Sequence, residues 1–120
     1  MAVASSASIP TPFVGGVPRR MWAKAISCFG DGEPIQAVVQ ADRELDLARL
    51  AFLGGMTNVR LATDAELRRL YPRPRVFVDR ALTFTHEIAF NGGPFRDPIV
   101  MRYADFAATA RPMVGFIARY

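Results

Sequence analysis

The only lysine of the chain, Lys24, lies inside the apolar segment MWAKAISC (21–28), whereas the other fourteen of the fifteen cationic residues are arginines. A lysine ammonium is a compact charge that can reach a phosphate or a ribose hydroxyl. In a partly dry pocket it can also stabilise the negative charge that develops on a carbonyl oxygen during ester hydrolysis. The alternative is structural: the side-chain stem lies on apolar surface and the ammonium reaches solvent.

Two other residue types could carry chemistry. His86 is the single histidine, so any Ser-His-Asp arrangement depends on it, and its place directly before a predicted strand favours a surface or strand-end residue. Cys28 could act as a nucleophile only beside a base, and we expect a small buried hydrophobe. One His and one Cys make a four-ligand zinc site implausible, and the GDG turn is too short for a phosphate loop. We expect no metal and no cofactor.

Composition limits the classes of protein. The chain has 120 residues, of which 51% are hydrophobic, and a formal net charge of +4. This suits a single globular domain, and no apolar run approaches the ~18–20 residues of a membrane span. The positive charge permits RNA binding, although an arginine-rich coding bias explains it equally well. The unpaired cysteine fits a reducing compartment, so the sequence predicts a cytoplasmic protein.

Strands and helices alternate along the chain. Residues 1–18 have no helical or strand period and are predicted to form a flexible leader, followed by one domain at 19–120. The segment FGDGE (29–33) predicts a hairpin turn, and Thr63 with Glu66 predicts a helix capping box. The predicted elements are strands at 21–28, 34–40, 58–62, 75–79, 86–91 and 97–102, helices at 42–53, 63–71 and 103–110, and a further helical turn in the tail at 113–120. This order predicts an α/β domain with a mixed sheet.

The ordered series of segments resembles a known family. After the Ala-Lys strand come LDLARL, VRLATDAEL, VFVDRAL, IAFNGG and IVMRYADF. The series resembles the YbaK and prolyl-tRNA synthetase-associated family of aminoacyl-tRNA deacylases, from about Val17 to Pro112. The resemblance implies a YbaK-like fold with a curved mixed β-sheet and flanking helices. It also implies hydrolysis of a mischarged aminoacyl-tRNA, with tRNA and an aminoacyl-tRNA synthetase as partners.

The resemblance assigns roles to individual residues. Lys24 falls at the position of the family lysine most tied to activity, which implies that it is catalytic. Asn91, Gly92 and Gly93 match the small-residue loop that binds substrate, although Asn and Gly also form plain β-turns. Asp79 matches a common family acid, and we expect it to cap the next turn rather than to contact substrate.

One departure from the family pattern concerns the link between the second helix and the VFVD strand. Most members carry a Gly-x-x-Pro loop there, whereas this chain has only YPRPR (71–75). The short link predicts a pocket that is open on this side. It therefore leaves two alternatives to the deacylase: a catalytically weak or inactive family member that binds tRNA or a protein, and a hydrolase or binding protein for another small ester.

Overall fold

The computed structural model describes residues 18–90 and 99–120. In this part of the chain the strands are β1 (Trp22–Gly30), β2 (Glu33–Gln40), β3 (Glu44–Leu45), β4 (Val59–Leu61), β5 (Arg75–Asp79), β6 (Glu87–Phe90), β7 (Ile99–Arg102), β8 (Met113–Gly115) and β9 (Ala118–Arg119). The helices are α1 (Leu47–Gly54), α2 (Asp64–Leu67) and α3 (Tyr103–Ala110), with 3₁₀ turns at Arg19–Met21 and Arg80–Phe84.

The hairpin of β1 and β2 sets the register of the sheet. Asp31 and Gly32 both have positive φ, at 50° and 84°, which is the backbone that a tight two-residue turn requires. The turn pairs Gly30 with Glu33, and the antiparallel register continues without interruption to Ala23 and Gln40. The predicted hairpin is therefore confirmed, with β1 extending to Gly30.

Helices α1 and α2 begin where side chains cap them. At α1 the Asp46 carboxylate accepts the N–H groups of Ala48 and Arg49 at 3.0 and 3.2 Å, and Gly55 ends the helix in the left-handed region at φ 65°. The observed helix therefore starts at Leu47, later than the predicted segment 42–53, because residues 44–45 form a strand instead. At α2 the predicted capping box of Thr63 and Glu66 is present.

Helix α2 is shorter than the predicted segment 63–71, because it ends at Leu67. Pro72 disfavours helical backbone at Tyr71, the residue before it, which excludes a helix that continues to residue 71. Strand β5 and helix α3 have the bounds that the sequence predicted.

Seven strands of the described residues form one mixed sheet in the order β7-β6-β1-β2-β5-β8, with β4 paired to β1. The β1–β2, β1–β4 and β6–β7 pairs are antiparallel, and the β1–β6, β2–β5 and β5–β8 pairs are parallel. Strands β3 and β9 form a separate antiparallel pair. This arrangement, with the three helices of the described ranges, confirms the predicted α/β fold with a mixed sheet.

Two hydrophobic clusters form the core. The first consists of Cys28, Ile35, Ala37, Val39, Leu50, Phe77, Ile117 and Ala118. The second consists of Ala23, Val38, Val78, Leu82 and Ile88, with Tyr103 and Phe106 of α3 packed against it. Val38 and Val39 are neighbours on β2 but belong to different clusters, so the clusters lie on opposite faces of the sheet.

The C-terminal tail corrects a prediction. Residues 113–120 were expected to add a helical turn, but they form β8, parallel to β5, and β9, paired with β3. The cause is long-range: Asp79, at the end of β5, accepts the N–H groups of Ile117 and Ala118 at 2.9 and 3.0 Å. These contacts hold the tail in extended form and could not be read from the local sequence.

No helix of the described residues is long and apolar enough to cross a membrane.

Candidate functional site

Lys24 lies near the start of β1, paired with Val39 of β2. Since side chains alternate along an uninterrupted strand, Lys24 shares a face with Ile26 and Cys28, which pack in or against the first cluster. Its side chain is half-buried, whereas Val39 beside it is fully buried. The lysine is therefore a partly exposed residue on a face whose other side chains are mostly apolar.

The middle of β1 is more open than its ends. Residues Trp22, Ala23 and 28–30 are buried, whereas Lys24, Ile26 and Ser27 are half-buried and Ala25 is exposed. On the side of β1 away from β2, β6 pairs with Trp22 and Ala23, and β4 pairs with residues 28–30. Among the described strands, none pairs with residues 24–26 on that side. Lys24 thus lies at a split in the sheet.

Within residues 18–90 and 99–120, no hydrogen bond or ion pair occupies the Lys24 side chain, whereas four ion pairs form between arginines and carboxylates. A half-buried ammonium that no side chain of the described residues neutralises can interact with a bound anion or a polarised carbonyl oxygen.

The predicted substrate-binding residues Asn91, Gly92 and Gly93 lie outside the described residues. The described part of β6 ends at Phe90, whose partner in the sheet is Ala23, the residue before Lys24. Whether residues 91–93 share a cleft with Lys24 stays a prediction.

The YPRPR link borders a cavity of about 210 Å³. Tyr71 and Pro74 of the link line it, together with Ser27, Gln36 and Glu66. Ser27 and Gln36 form a cross-strand pair on the face opposite Lys24, and the Gln36 amide donates a hydrogen bond of 2.8 Å to the Ser27 hydroxyl. Lys24 is not among the lining residues. The structure therefore does not bring Lys24 and this cavity together.

Sequence reasoning missed the Ser27–Gln36 pair, although a signal was present. A two-residue Asp-Gly turn fixes the hairpin register, and counting back from it places Gln36 opposite Ser27.

Glu66, which lines the same cavity, forms an ion pair with Arg60. The Arg60 guanidinium donates two hydrogen bonds to the Glu66 carboxylate at 2.7 and 2.8 Å and lies over the Phe29 ring. The hydrogen bond from Arg60, with that from the Thr63 N–H, lowers the pKa of Glu66 to about 2. Glu66 is therefore ionised at neutral pH and is not suited to act as a general acid or base.

The surroundings of Asp79 indicate a role in holding the fold together. The residue is fully buried, and its carboxylate accepts hydrogen bonds from the N–H groups of Ala81, Ile117 and Ala118 and from the Tyr120 hydroxyl. The contact to Ala81 makes Asp79 the N-cap of the 3₁₀ turn Arg80–Phe84. This confirms the expectation that Asp79 caps the next turn.

His86 and Cys28 are poorly placed for nucleophilic catalysis. His86 is exposed, and its backbone carbonyl accepts the Tyr103 N–H at the start of α3. Cys28 is 1% exposed, and burial raises the pKa of its thiol to about 11, so that the reactive thiolate is disfavoured. In the described part of the chain, no group of three or more His, Cys, Asp or Glu residues could hold a metal ion.

Sequence comparison finds partial similarity to proline–tRNA ligases. The chain is 36% identical over 75 positions to the proline–tRNA ligase of Nitratidesulfovibrio vulgaris strain Hildenborough, and the match covers 55% of this chain and 13% of the ligase. The ligase of strain DP4 is 35% identical over the same length. The chain thus spans about an eighth of the curated relatives it matches. No protein-family model matches it.

Structural comparison confirms the fold. The crystal structure of a candidate trans-editing enzyme for prolyl tRNA synthetase superposes with a TM-score of 0.77 at 19% identity, over 87% of this chain and 74% of that one. A candidate signal transduction protein from Marinobacter aquaeolei VT8 gives 0.74 at 18% identity, over 87% and 26%. Proteins of different description share the fold, which by itself assigns no activity. The chain has the mixed α/β fold of the candidate trans-editing enzyme and partial sequence similarity to proline–tRNA ligase.

Proposed function

We propose that this protein is a YbaK-like aminoacyl-tRNA deacylase that hydrolyses the ester of a mischarged tRNA in trans, with proline tRNA as the first candidate. The supporting observation is that the sequence comparison finds a proline–tRNA ligase and that the structural comparison includes a candidate trans-editing enzyme for prolyl tRNA synthetase. The fold alone would support a much wider range of activities.

Lys24 is the proposed catalytic residue. Attack of water on an aminoacyl ester places negative charge on the carbonyl oxygen, and a fixed cation near that oxygen lowers the barrier. The position of Lys24 at the split beside the open middle of β1 supports this role, because a substrate can approach there without unfolding the sheet. Asn91, Gly92 and Gly93 are proposed to bind the substrate.

The proposal includes no protein general base. Cys28 has a raised thiol pKa, Glu66 is ionised and engaged with Arg60, and His86 is exposed at a strand start. A hydroxyl of the substrate's own ribose would assist the attacking water, and the chain would supply charge stabilisation and orientation. A synthetase is a further candidate partner, through the similarity to proline–tRNA ligase.

A second candidate function is a catalytically weak or inactive relative that binds tRNA or a protein. The observation that favours it is the position of the YPRPR link, whose cavity opens on the face of the sheet opposite Lys24. In the deacylase family a Gly-x-x-Pro loop shapes the amino-acid pocket from this link. A pocket on the face of the sheet opposite Lys24 would leave the lysine without the part of the amino-acid pocket that the Gly-x-x-Pro loop forms in the family.

A deacylation assay over a panel of mischarged tRNAs tests the proposal. Wild-type protein should release at least one amino acid from tRNA faster than buffer does. Replacing Lys24 by methionine keeps the length and apolar stem but removes the charge, and we expect turnover to fall by about 100-fold or more.

Lys24→Arg and Ser27→Ala serve as controls. Arginine keeps the charge and should restore part of the rate, and Ser27 lies on the opposite face, so its loss should leave the rate unchanged. If no substrate of the panel is released faster than in buffer but tRNA still binds, the second candidate function replaces the first. Equal rates for wild type and Lys24→Met would reject Lys24 as the catalytic residue.

A further inference from the structure

Three phenylalanine side chains are exposed on the described surface. Phe52 on α1 is 91% exposed, Phe84 at the end of the 3₁₀ turn is 75% exposed, and Phe116 between β8 and β9 is 59% exposed. Phe52 and Phe116 line the same groove of about 530 Å³. Most large apolar side chains gain free energy from burial, so three open aromatic rings require an explanation.

Arginines lie between these rings. The guanidinium of Arg80 is 5.7 Å from the centroid of Phe84 and 5.8 Å from that of Phe116, within the range of a cation–π contact to each. Arg49 lines the groove beside Phe52. We name Phe52, Arg80, Phe84 and Phe116 the aromatic surface. Arg80 separates Phe84 from Phe116, whereas Phe52 and Phe116 share a groove with the apolar residues Ala48 and Leu53.

The backbone beneath the aromatic surface is held rigidly from within. Buried Asp79 caps the 3₁₀ turn that carries Arg80 and Phe84. The same carboxylate binds the N–H groups of Ile117 and Ala118, directly after Phe116. One buried side chain therefore fixes two of the segments from which the rings project. A preformed surface loses little conformational entropy when a partner binds.

Electrostatics favour an anionic partner. Asp46 is the only acid among the described residues that line the groove. Its carboxylate accepts two N–H groups of α1 and lies 3.7 Å from the Arg49 guanidinium, so that the two charges offset each other. The whole chain carries a net charge of +4. An aromatic ring and a nearby guanidinium together suit one ligand chemistry in particular: the flat face of an unpaired base joined to a phosphate.

We propose that the aromatic surface binds unpaired nucleotides of RNA, with bases stacked on Phe84, Phe116 and Phe52 and phosphates near Arg80. This deepens the proposed function and rests on it for the choice of RNA as partner. A protein partner would also use aromatic residues and arginine, but the Arg80 guanidinium between Phe84 and Phe116 suits a base joined to a phosphate better.

The test is direct binding of a fluorescein-labelled single-stranded oligouridine at low salt, followed by anisotropy. Phe84→Ala and Phe116→Ala should each weaken binding by about fivefold to one hundredfold, because each removes one stacking position. Arg80→Ala should weaken binding and lower its dependence on salt. A double-stranded RNA of the same length should bind less well than the single strand, since its bases are not available for stacking.

Leu70→Ala and Arg68→Ala are the matched controls. Leu70 is 98% exposed and Arg68 is exposed, and neither belongs to the aromatic surface. Both should bind oligouridine like wild type. Equal losses in these controls, unchanged binding by the phenylalanine variants, or no binding by wild type would each overturn the inference. So would a wild-type dimer that Phe116→Ala converts to monomer, because the surface would then join two copies of the chain.

The outcome is separable from that of the deacylation assay. Oligouridine binding that depends on Phe84 and Phe116, in a protein that deacylates no tRNA of the panel, would support the aromatic surface and reject the deacylase. Deacylation that depends on Lys24, with oligouridine binding indifferent to both phenylalanines, would support the deacylase and reject the aromatic surface.

Discussion

Lys24 and Asp79 are charged residues on two strands of the same sheet, and their surroundings are opposite. Asp79 is fully buried at the end of β5 and accepts hydrogen bonds from three backbone N–H groups and one hydroxyl. Lys24 is half-buried at a split beside β1, and no side chain of the described residues pairs with it. The described residues supply four hydrogen bonds to Asp79 and none to the Lys24 side chain.

The difference separates a structural charge from a candidate functional one. If a buried carboxylate is removed, each N–H or O–H group that it accepted becomes an unsatisfied donor. Its removal should therefore lower the free energy of unfolding. A cation with no hydrogen bond or ion pair among the described residues should contribute little to folding. Removal of the Asp79 carboxylate should therefore destabilise the protein far more than removal of the Lys24 ammonium.

Asp79→Ala should be the most damaging substitution. It leaves the N–H groups of Ile117 and Ala118 without their buried acceptor and removes the cap of the 3₁₀ turn. We expect a loss of about 3–5 kcal/mol in the free energy of unfolding. Urea denaturation followed by circular dichroism measures it.

The control for Asp79 is Asp105→Ala. Asp105 is 63% exposed and its carboxylate is 3.4 Å from the Arg102 guanidinium, itself 61% exposed. A surface pair of this kind contributes about 0–1 kcal/mol. If both aspartate variants unfolded at the same urea concentration, the structural role of Asp79 would be wrong.

Tyr120→Phe removes the hydroxyl that donates to Asp79 and leaves the three backbone donors in place. We expect a loss of about 1–2 kcal/mol at neutral pH, because a hydrogen bond to a buried carboxylate is lost. The ring is 56% exposed, so the loss of packing should be small. The same urea titration measures the effect. If Tyr120→Phe lowered the free energy of unfolding as much as Asp79→Ala does, the hydrogen bonds from the backbone N–H groups to Asp79 would contribute nothing to stability, contrary to our expectation.

Tyr120 also predicts a dependence on alkaline pH. Burial, followed by the hydrogen bond to Asp79, raises the pKa of Tyr120 from 10.0 to about 12. The folded state holds this proton more tightly than the unfolded chain, so the stabilisation is complete below pH 10 and is lost as pH rises towards about 12. Burial also raises the pKa of Tyr103, but that residue is common to wild type and Tyr120→Phe. The difference in stability between the two proteins should therefore shrink across this interval, and a constant difference would contradict the assignment.

Lys24→Met should have the smallest effect on stability, within about 0.5 kcal/mol of wild type, because no hydrogen bond or ion pair of the described residues is lost. Ile26→Ala is the matched control, since Ile26 is two residues further on the same face and packs against the first cluster. That control should lose about 1 kcal/mol or more. A loss for Lys24→Met equal to that of Ile26→Ala would make the lysine structural and weaken the comparison with Asp79.

Much of the fold could be predicted from local patterns. The Asp-Gly turn, the Thr63–Glu66 capping box and the β-prone segment 75–79 are short-range signals, and each appears in the structure where the sequence placed it. Helix α3 also has its predicted bounds. These elements are determined by residues a few positions apart, which is why sequence alone suffices for them.

The candidate site was predicted only in part. The sequence identified Lys24 on a strand and assigned Asp79 to a cap, and the structure agrees with both positions. It did not reveal that the link 71–75 borders a cavity on the face opposite Lys24, because that depends on how β4 and α2 return to β1. The aromatic surface was also missed, since Phe52, Phe84 and Phe116 come from three separate segments.

By itself, the sequence determined the alternation of strands and helices, the β1–β2 register and the isolation of a single lysine on an apolar strand. Only the tertiary structure decided the conformation of the tail. The local sequence of residues 113–120 is compatible with a helical turn. In the folded protein, however, the buried Asp79 carboxylate accepts two N–H groups of the tail, and the edge of β5 forms backbone hydrogen bonds with β8. A helical tail would leave these groups of Asp79 and β5 without partners. Unpaired buried hydrogen-bonding groups are costly, so contacts between residues almost forty positions apart overrode the local preference.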